Sequence, residues 1–187
     1  MSFCKCEGEM VSVPNWKSIV TCVPTVGVII SVSFLFGVLI AYIRPYALDK
    51  AVPYRADFLA LLGNNSVAWL VVLLGGFALS VPTFLVIVIN FAEIGWCIAQ
   101  YVSQHEYLHV FTAVAPHALF ECISIYIASC VSLLIAREEL KLWRTEGLGS
   151  GFFNFLQKTV TRWMQPVIVS WLFLFIGAYI ETYISYR

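Results

Sequence analysis

An all-α, polytopic transmembrane helical bundle is the fold this sequence predicts. It has five membrane helices, or four if the long middle segment stays whole, with a broken helix pair at the centre. Three observations carry this. Apolar residues are 60% of the 187 and charged residues only 12%, against roughly 45–50% and 25% in soluble domains. Mean hydropathy is +0.86. The apolar residues fall in runs long enough to cross a hydrocarbon core of about 30 Å, which takes about 20 helical residues. A water-soluble fold of this size has no interior large enough for so much apolar surface. That excludes a soluble enzyme, a disordered chain and a disulfide-stapled secreted module. Eleven basic and eleven acidic side chains cancel, so no basic surplus exists to grip nucleic acid phosphates. The expected partners are the lipid bilayer, further copies of the chain (a homo-oligomer) or other membrane protein subunits.

The first span, 19–43, is free of charge. It is too long for the apolar region of a signal peptide, lacks a small-x-small cleavage site, and is expected to be retained. From Ser66 to Gln104 the sequence holds one charge, Glu93. As one straight helix this run would rise about 58 Å at about 1.5 Å per residue, nearly twice the core. Gly75, Gly76, Ser80 and Pro82 interrupt it, and proline breaks the hydrogen-bond ladder. Two helices are therefore expected, 66–79 and 83–101. The first is short for a span and would tilt, stop at mid-depth or thin the bilayer. The remaining spans are 110–136, which carries His117 and Glu121, and 164–185, which carries Glu181. Pro116 and Pro166 are expected at helix starts, where the missing N–H breaks no bond. Residues 137–163 read as a basic cytoplasmic loop with a flexible joint at Gly147-Leu-Gly-Ser-Gly151. The aromatic stretch that follows the joint reads equally as an interfacial segment or an ordinary loop.

Six cysteines are present. Cys4-Lys-Cys6 is not CxxC, and four of the six lie in apolar runs, where they read as small packing residues.

Helices that associate in lipid turn small and polar residues toward their contacts. At about 100° per residue, Ser170, Gly177 and Glu181 share one face. His117, Glu121, Ser124, Ala128 and Ser132 share a second, and Thr83, Asn90, Glu93 and Cys97 a third. Thr21, Pro24, Gly27 and Ser31 make a milder stripe on the first helix. Turned inward, these faces give a polar core of Glu93, His117, Glu121, Glu181, Asn90 and Thr83. Charges inside a membrane are costly and tend to serve a function. Neighbouring carboxylates cannot all stay ionised without a cation or shared protons. His117, Glu121, Glu181 and Glu93 are therefore candidate ligands of a divalent cation, members of a proton relay, or a hydrogen-bonded network joining the helices. No other cofactor follows from the sequence. His105-Glu106-Tyr107-Leu108-His109 matches HExxH, in which a helix sets two imidazoles on one face for zinc with the glutamate as general base. A solvated loop at the membrane edge explains the same residues, and the sequence leans away from an enzyme.

Pro116-His117-Ala118-x-x-Glu121 resembles the Pro-His-Gly-x-x-Glu signature of the stage II sporulation protein M family. Further matches come in order: Asn64-Asn65, Gly76 and Thr83 around the break, Asn90 and Gly95 for an Asn-Gly-x-x-x-Gly element, 125–128 after the signature, and a terminal Ala-x-x-Glu at Ala178–Glu181. The resemblance spans about 57–183. Ala118 and Phe91 stand where the family pattern has glycines. The resemblance implies a multi-span membrane protein without established catalytic chemistry, whose named member resembles a scaffold recruiting wall-remodelling partners during engulfment. Fold and membrane placement carry over; sporulation does not. Three functions then compete: a membrane scaffold or assembly subunit with a structural His/Glu core, a small cation or proton-coupled transporter or channel using the intramembrane carboxylates, and an intramembrane zinc hydrolase using 105–109.

Orientation follows the Lys/Arg count of the loops. With the N-terminus inside, the inner face carries Arg137, Lys141, Arg144, Lys158, Arg162, Lys5 and Lys17, and the outer face Arg44, Lys50, Arg55 and Arg187. The chain is accordingly expected as a multi-pass cell-membrane protein with a cytoplasmic N-terminus. In intact cells, a Ser150→Cys variant lacking reactive native thiols should resist an impermeant maleimide; rapid labelling would reverse the topology.

Overall fold

The computed structural model describes residues 16–43, 57–145 and 152–184. Cys4, Cys6, Lys5, Arg44, Lys50, Arg55, Arg187 and the 147–151 joint lie outside them. The described chain is helical: α1 (Trp16–Ile43), α2 (Phe58–Leu74), a 3₁₀ turn (Gly75–Ala78), α3 (Val81–Ser103), a single turn α4 (Tyr107–His109), a π-helical turn (Val110–Val114), α5 (Ala115–Thr145) and α6 (Phe152–Tyr183). Five segments are long and apolar enough to cross a membrane: Lys17–Ile43, Phe58–Ala78, Val81–Ser103, Ala115–Thr145 and Asn154–Tyr183.

α5 is the central helix. It touches α1, α2, the 3₁₀ turn, α3 and α6. Its small residues Ser124, Ala128, Ser129, Cys130 and Ser132 are all fully buried, which lets neighbouring backbones come close. Two apolar clusters fill the bundle. One joins α1, α5 and α6 through Cys22, Val26, Cys130, Val131 and Trp163. The other joins α2, α3, α5 and α6 through Trp69, Val72, Ile87, Phe91, Ala128 and Leu174.

The helix break in the middle is present, and its geometry is specific. Leu79 and Ser80 take left-handed φ of 53° and 61°, the Ser80 amide donates to the Gly75 carbonyl at 2.7 Å, and Pro82 lies in the first turn of α3. The two glycines answer to close approach. A Cβ on Gly76 would lie 2.7 Å from the Ser132 carbonyl oxygen and 2.9 Å from Ile135 Cβ, and one on Gly75 would collide with Thr83 Oγ1.

Four expectations are corrected. The helix expected at 66–79 starts at Phe58 after Asp57, so it is no half-span. Asn65 stays helical because its side-chain amide bonds Glu121 on another helix instead of competing for local backbone groups. The 137–163 loop is mostly helical, since α5 runs on to Thr145 and α6 begins at Phe152. The two ends are tied by Arg162 donating to Glu138 at 2.6 Å. Pro166 therefore lies inside α6, buried, and costs that helix one backbone bond. On α1, Thr21 and Pro24 are exposed. The buried face is Ile19, Cys22, Val26, Ser33 and Ala41, at the three-and-four spacing of a packed seam.

α1 and α3 are held together by reciprocal glycines. A Cβ on Gly37 would strike the Ala92 backbone, and one on Gly95 the Phe34 backbone, whereas Gly63 has nothing within 4 Å. Gly95→Val should therefore lower the detergent-solubilised melting temperature, with an overpacking cost of roughly 1–3 kcal/mol or more. Gly63→Ala should leave melting unchanged, and equal melting of the two variants would contradict this packing.

Candidate functional site

A cavity of about 540 Å³ opens between α3, α5 and α6, with Asn90, Glu93, Trp96, Cys97, Tyr101, His109, His117, Glu121 and Glu181 in its wall. His117 and Glu121 sit one turn apart on α5, so their side chains meet on one face. His117 Nε2 lies 3.9 Å from a carboxylate oxygen of Glu181 on α6, while His117 Nδ1 is buried without a hydrogen-bond partner. Asn65 of α2 donates its amide to Glu121 at 2.5 Å. α6 reaches this wall because Gly177 has no side chain there: a Cβ would lie 2.9 Å from Glu121 Cγ and 3.3 Å from the His117 carbonyl oxygen.

The chain's entry into α5 shapes the rim. Pro116 has no N–H to give the Thr112 carbonyl and its ring crowds that turn, and the backbone answers with the π-helical turn Val110–Val114. Such widened turns recur at functional sites. One turn before it, the His109 ring packs on Tyr101 at 4.7 Å between centroids.

Of the expected polar core, the structure brings together Glu93, Asn90, His117, Glu121 and Glu181 around this one cavity. Glu93 lines it from an exposed position, and the Asn90 amide is spent on the Val86 carbonyl of its own helix at 2.8 Å. Thr83 lies elsewhere. It donates to the Val72 carbonyl at 2.7 Å and pairs with Ser132 at 2.6 Å, which satisfies the backbone at the helix break. A third polar contact joins three helices: the Trp69 indole donates to Ser170 at 2.8 Å, and Ser170 donates to the Ser124 carbonyl at 2.7 Å.

The HExxH expectation is corrected. His105 has a left-handed φ of 62° in the turn after α3, and helix resumes only at Tyr107. His105 and His109 are therefore not successive turns of one helix face, and His105, Glu106 and His109 are all exposed. Nor do the four candidate metal ligands converge: among the described residues no three His, Cys, Asp or Glu side chains are grouped closely enough to hold a metal ion. Sequence reasoning missed Asn65, Trp96, Tyr101 and His109 as wall or network residues. Asn65 was within reach, since Asn65, Trp69 and Val72 recur at helical spacing once the helix is extended back to Phe58.

Fold and site together define a polytopic helical membrane protein with a His/Glu cavity inside its bundle. Residues 26–186 match the family model for Stage II sporulation protein M, and the chain belongs to that family. No curated protein and no solved structure matches it. The signature's Pro116, His117 and Glu121 supply the widened turn and two wall residues, and Gly95 is the contact with α1. The two departures, Phe91 and Ala118, both lie in the cavity wall.

Glu121 tests the network. Glu121→Gln keeps an acceptor for Asn65, whereas Glu121→Ala leaves that amide without it, an unmade bond worth about 1–3 kcal/mol. In thermal denaturation the alanine variant should melt clearly below wild type and the glutamine variant close to it. Equal melting of all three would remove Glu121 from the structural network.

Proposed function

We propose that the protein is a membrane-embedded assembly subunit, a scaffold whose polar residues fasten its own helices and whose apolar flanks meet lipid, further copies or other membrane subunits. The observation that carries this reading is the floor of the cavity. Beneath Glu121, the bundle is closed by Trp69, Ser124 and Ser170, bonded across three helices, and by the fully buried Val72, Ile87, Ala128 and Leu174. Charged groups thus line a chamber that is open at its rim and packed beneath. The N-terminus is assigned to the cytoplasm on the loop charges, which also places the cavity toward the outer side, where α3 ends and α5 begins.

A cation- or proton-handling role stands as the second reading, favoured by the gathering of Glu93, Glu121 and Glu181 around one chamber. Liposomes containing the purified protein separate the two. Proton and divalent-cation flux should stay at the protein-free level, and the gently extracted protein should run in native mass spectrometry with a second copy or another membrane subunit. Flux abolished by Glu181→Gln, or a lone monomer under all mild extractions, would overturn the assembly reading.

A further inference from the structure

A second cavity, of about 720 Å³, lies on the other side of the gap between α3 and α5, against α1. Its wall includes Ile30, Phe34, Leu35, Ile98, Leu119 and Ile127, and it carries no charged side chain. Tyr126 lines it too, but its hydroxyl is spent on the Val23 carbonyl. Leu35 and Leu119 are 63% and 59% exposed, so the groove opens on the outer, lipid-facing surface of the bundle. The two cavities share four wall residues, Phe91 and Ile94 of α3 and Ala118 and Cys122 of α5. Along α5 the first runs from His117 to Ile125 and the second from Ala115 to Ile127, about 12 and about 18 Å at about 1.5 Å per residue. They are therefore neighbouring chambers at one depth, meeting where α3 and α5 make few contacts with each other.

The chemistry of the two chambers differs in one direction. One is uncharged and, apart from Ser31 and Tyr126, apolar. The other presents three carboxylates, Glu93, Glu121 and Glu181, with no lysine or arginine in its wall among the described residues. A phosphate or carboxylate head would be repelled there. An ammonium would gain charge-assisted hydrogen bonds, and Trp96 and Tyr101 offer aromatic rings of the kind that attract cations. Each volume falls in the range of ligand sites, about 300–1,000 Å³.

We infer that the neighbouring chambers bind one membrane amphiphile with a cationic head, its ammonium seated in the chamber that Glu93, Glu121 and Glu181 line and its alkyl chain lying in the groove between α1, α3 and α5. The ligand enters sideways from the lipid, chain and head together, through the gap lined by Ala118 and Cys122. Such binding is separate from the assembly role and stands or falls without it.

Trp96 supplies the readout, because it lines the head chamber. The probe is octadecylammonium carrying a nitroxide next to its head, titrated into the full-length protein in neutral maltoside micelles. The matched fatty alcohol and fatty acid serve as comparisons. Quenching should have a saturable component that is lost in the Trp96→Phe variant, whose five remaining tryptophans report the unsaturable background. That component should be stronger for the ammonium than for either comparison by about tenfold or more, the worth of a hydrogen bond to a charged group. Glu93→Gln and Glu181→Gln should each bring the ammonium toward the alcohol while leaving alcohol binding unchanged, which shows that the variants fold. Ethylammonium, which has no chain to fill the groove, should fail to displace the probe at equal concentration. Equal saturable quenching by all three head groups, saturable quenching that survives Trp96→Phe, or displacement by ethylammonium as effective as by the unlabelled long-chain amine would each overturn the proposal.

Discussion

A helix broken inside a membrane must satisfy its freed backbone groups within the protein, because lipid offers no hydrogen bonds. The turn between α2 and α3 meets this demand with very few atoms. Thr83 returns its hydroxyl to the Val72 carbonyl and pairs at the same time with Ser132 of α5, while the Ser80 amide reaches back to Gly75. The Ser132 pairing requires the turn to lie directly on α5, and that closeness is what excludes a Cβ from Gly76. The small residues of α5 follow from the same requirement. Ser124, Ala128 and Ser132 recur every fourth residue, and each receives a different neighbour: Ser170 of α6 at Ser124, the Trp69 cluster around Ala128, and the hairpin turn at Ser132.

The cavity exists because packing of this kind is not carried to the other end of the bundle. There α6 comes close to α5 at Gly177, whereas α3 is drawn to α1 by Gly37 and Gly95. With α3 held on one side and α6 on the other, α5 cannot close on both. Polar side chains that would be costly in a tight apolar contact occupy the space left open. Pro116 widens the backbone at the same level. The result is a chamber defined as much by glycines that pull helices away from it as by the His117, Glu121 and Glu181 that line it.

Much of this was legible in the sequence, for physical reasons that can be named. Uncharged runs of about 25 residues have few stable alternatives to a membrane helix, and Gly75, Gly76 and Pro82 marked the break. The i,i+4 spacing put His117 and Glu121 on one face, and Glu181 arrived there through the stripe it shares with Gly177. What escaped had a different origin. Loop-like composition at 137–163 concealed two helix ends, because Arg162 and Glu138 compensate each other only in three dimensions. The expected helix start at 66 follows Asn64-Asn65, which precede the apolar segment, and the Asn65 amide that joins the helix to Glu121 lies just before that point. The HExxH match failed because a five-letter pattern does not encode the left-handed turn at His105 that takes its first histidine off the helix. Thr83 was correctly marked as buried and polar but assigned to the wrong group. Angular position on a helix says nothing of height, and Thr83 sits about two turns from Asn90 and nearly three from Glu93.

The turn at Gly75–Thr83 also bears on how the chain reaches its final place. It contains no charged residue, so no charge of its own fixes its depth. α3 is held against the earlier α1 through Gly37 and Gly95, and the turn is fastened to α5 by Ser132, 49 residues beyond Thr83. During synthesis the hairpin therefore enters the bilayer before the group that fastens its turn has been made. Insertion and settling become separate events: α2 and α3 partition first by hydrophobicity, α3 against α1, and the arrival of α5 then fixes the turn through the Ser132 hydroxyl, which both Thr83 and Ser80 approach.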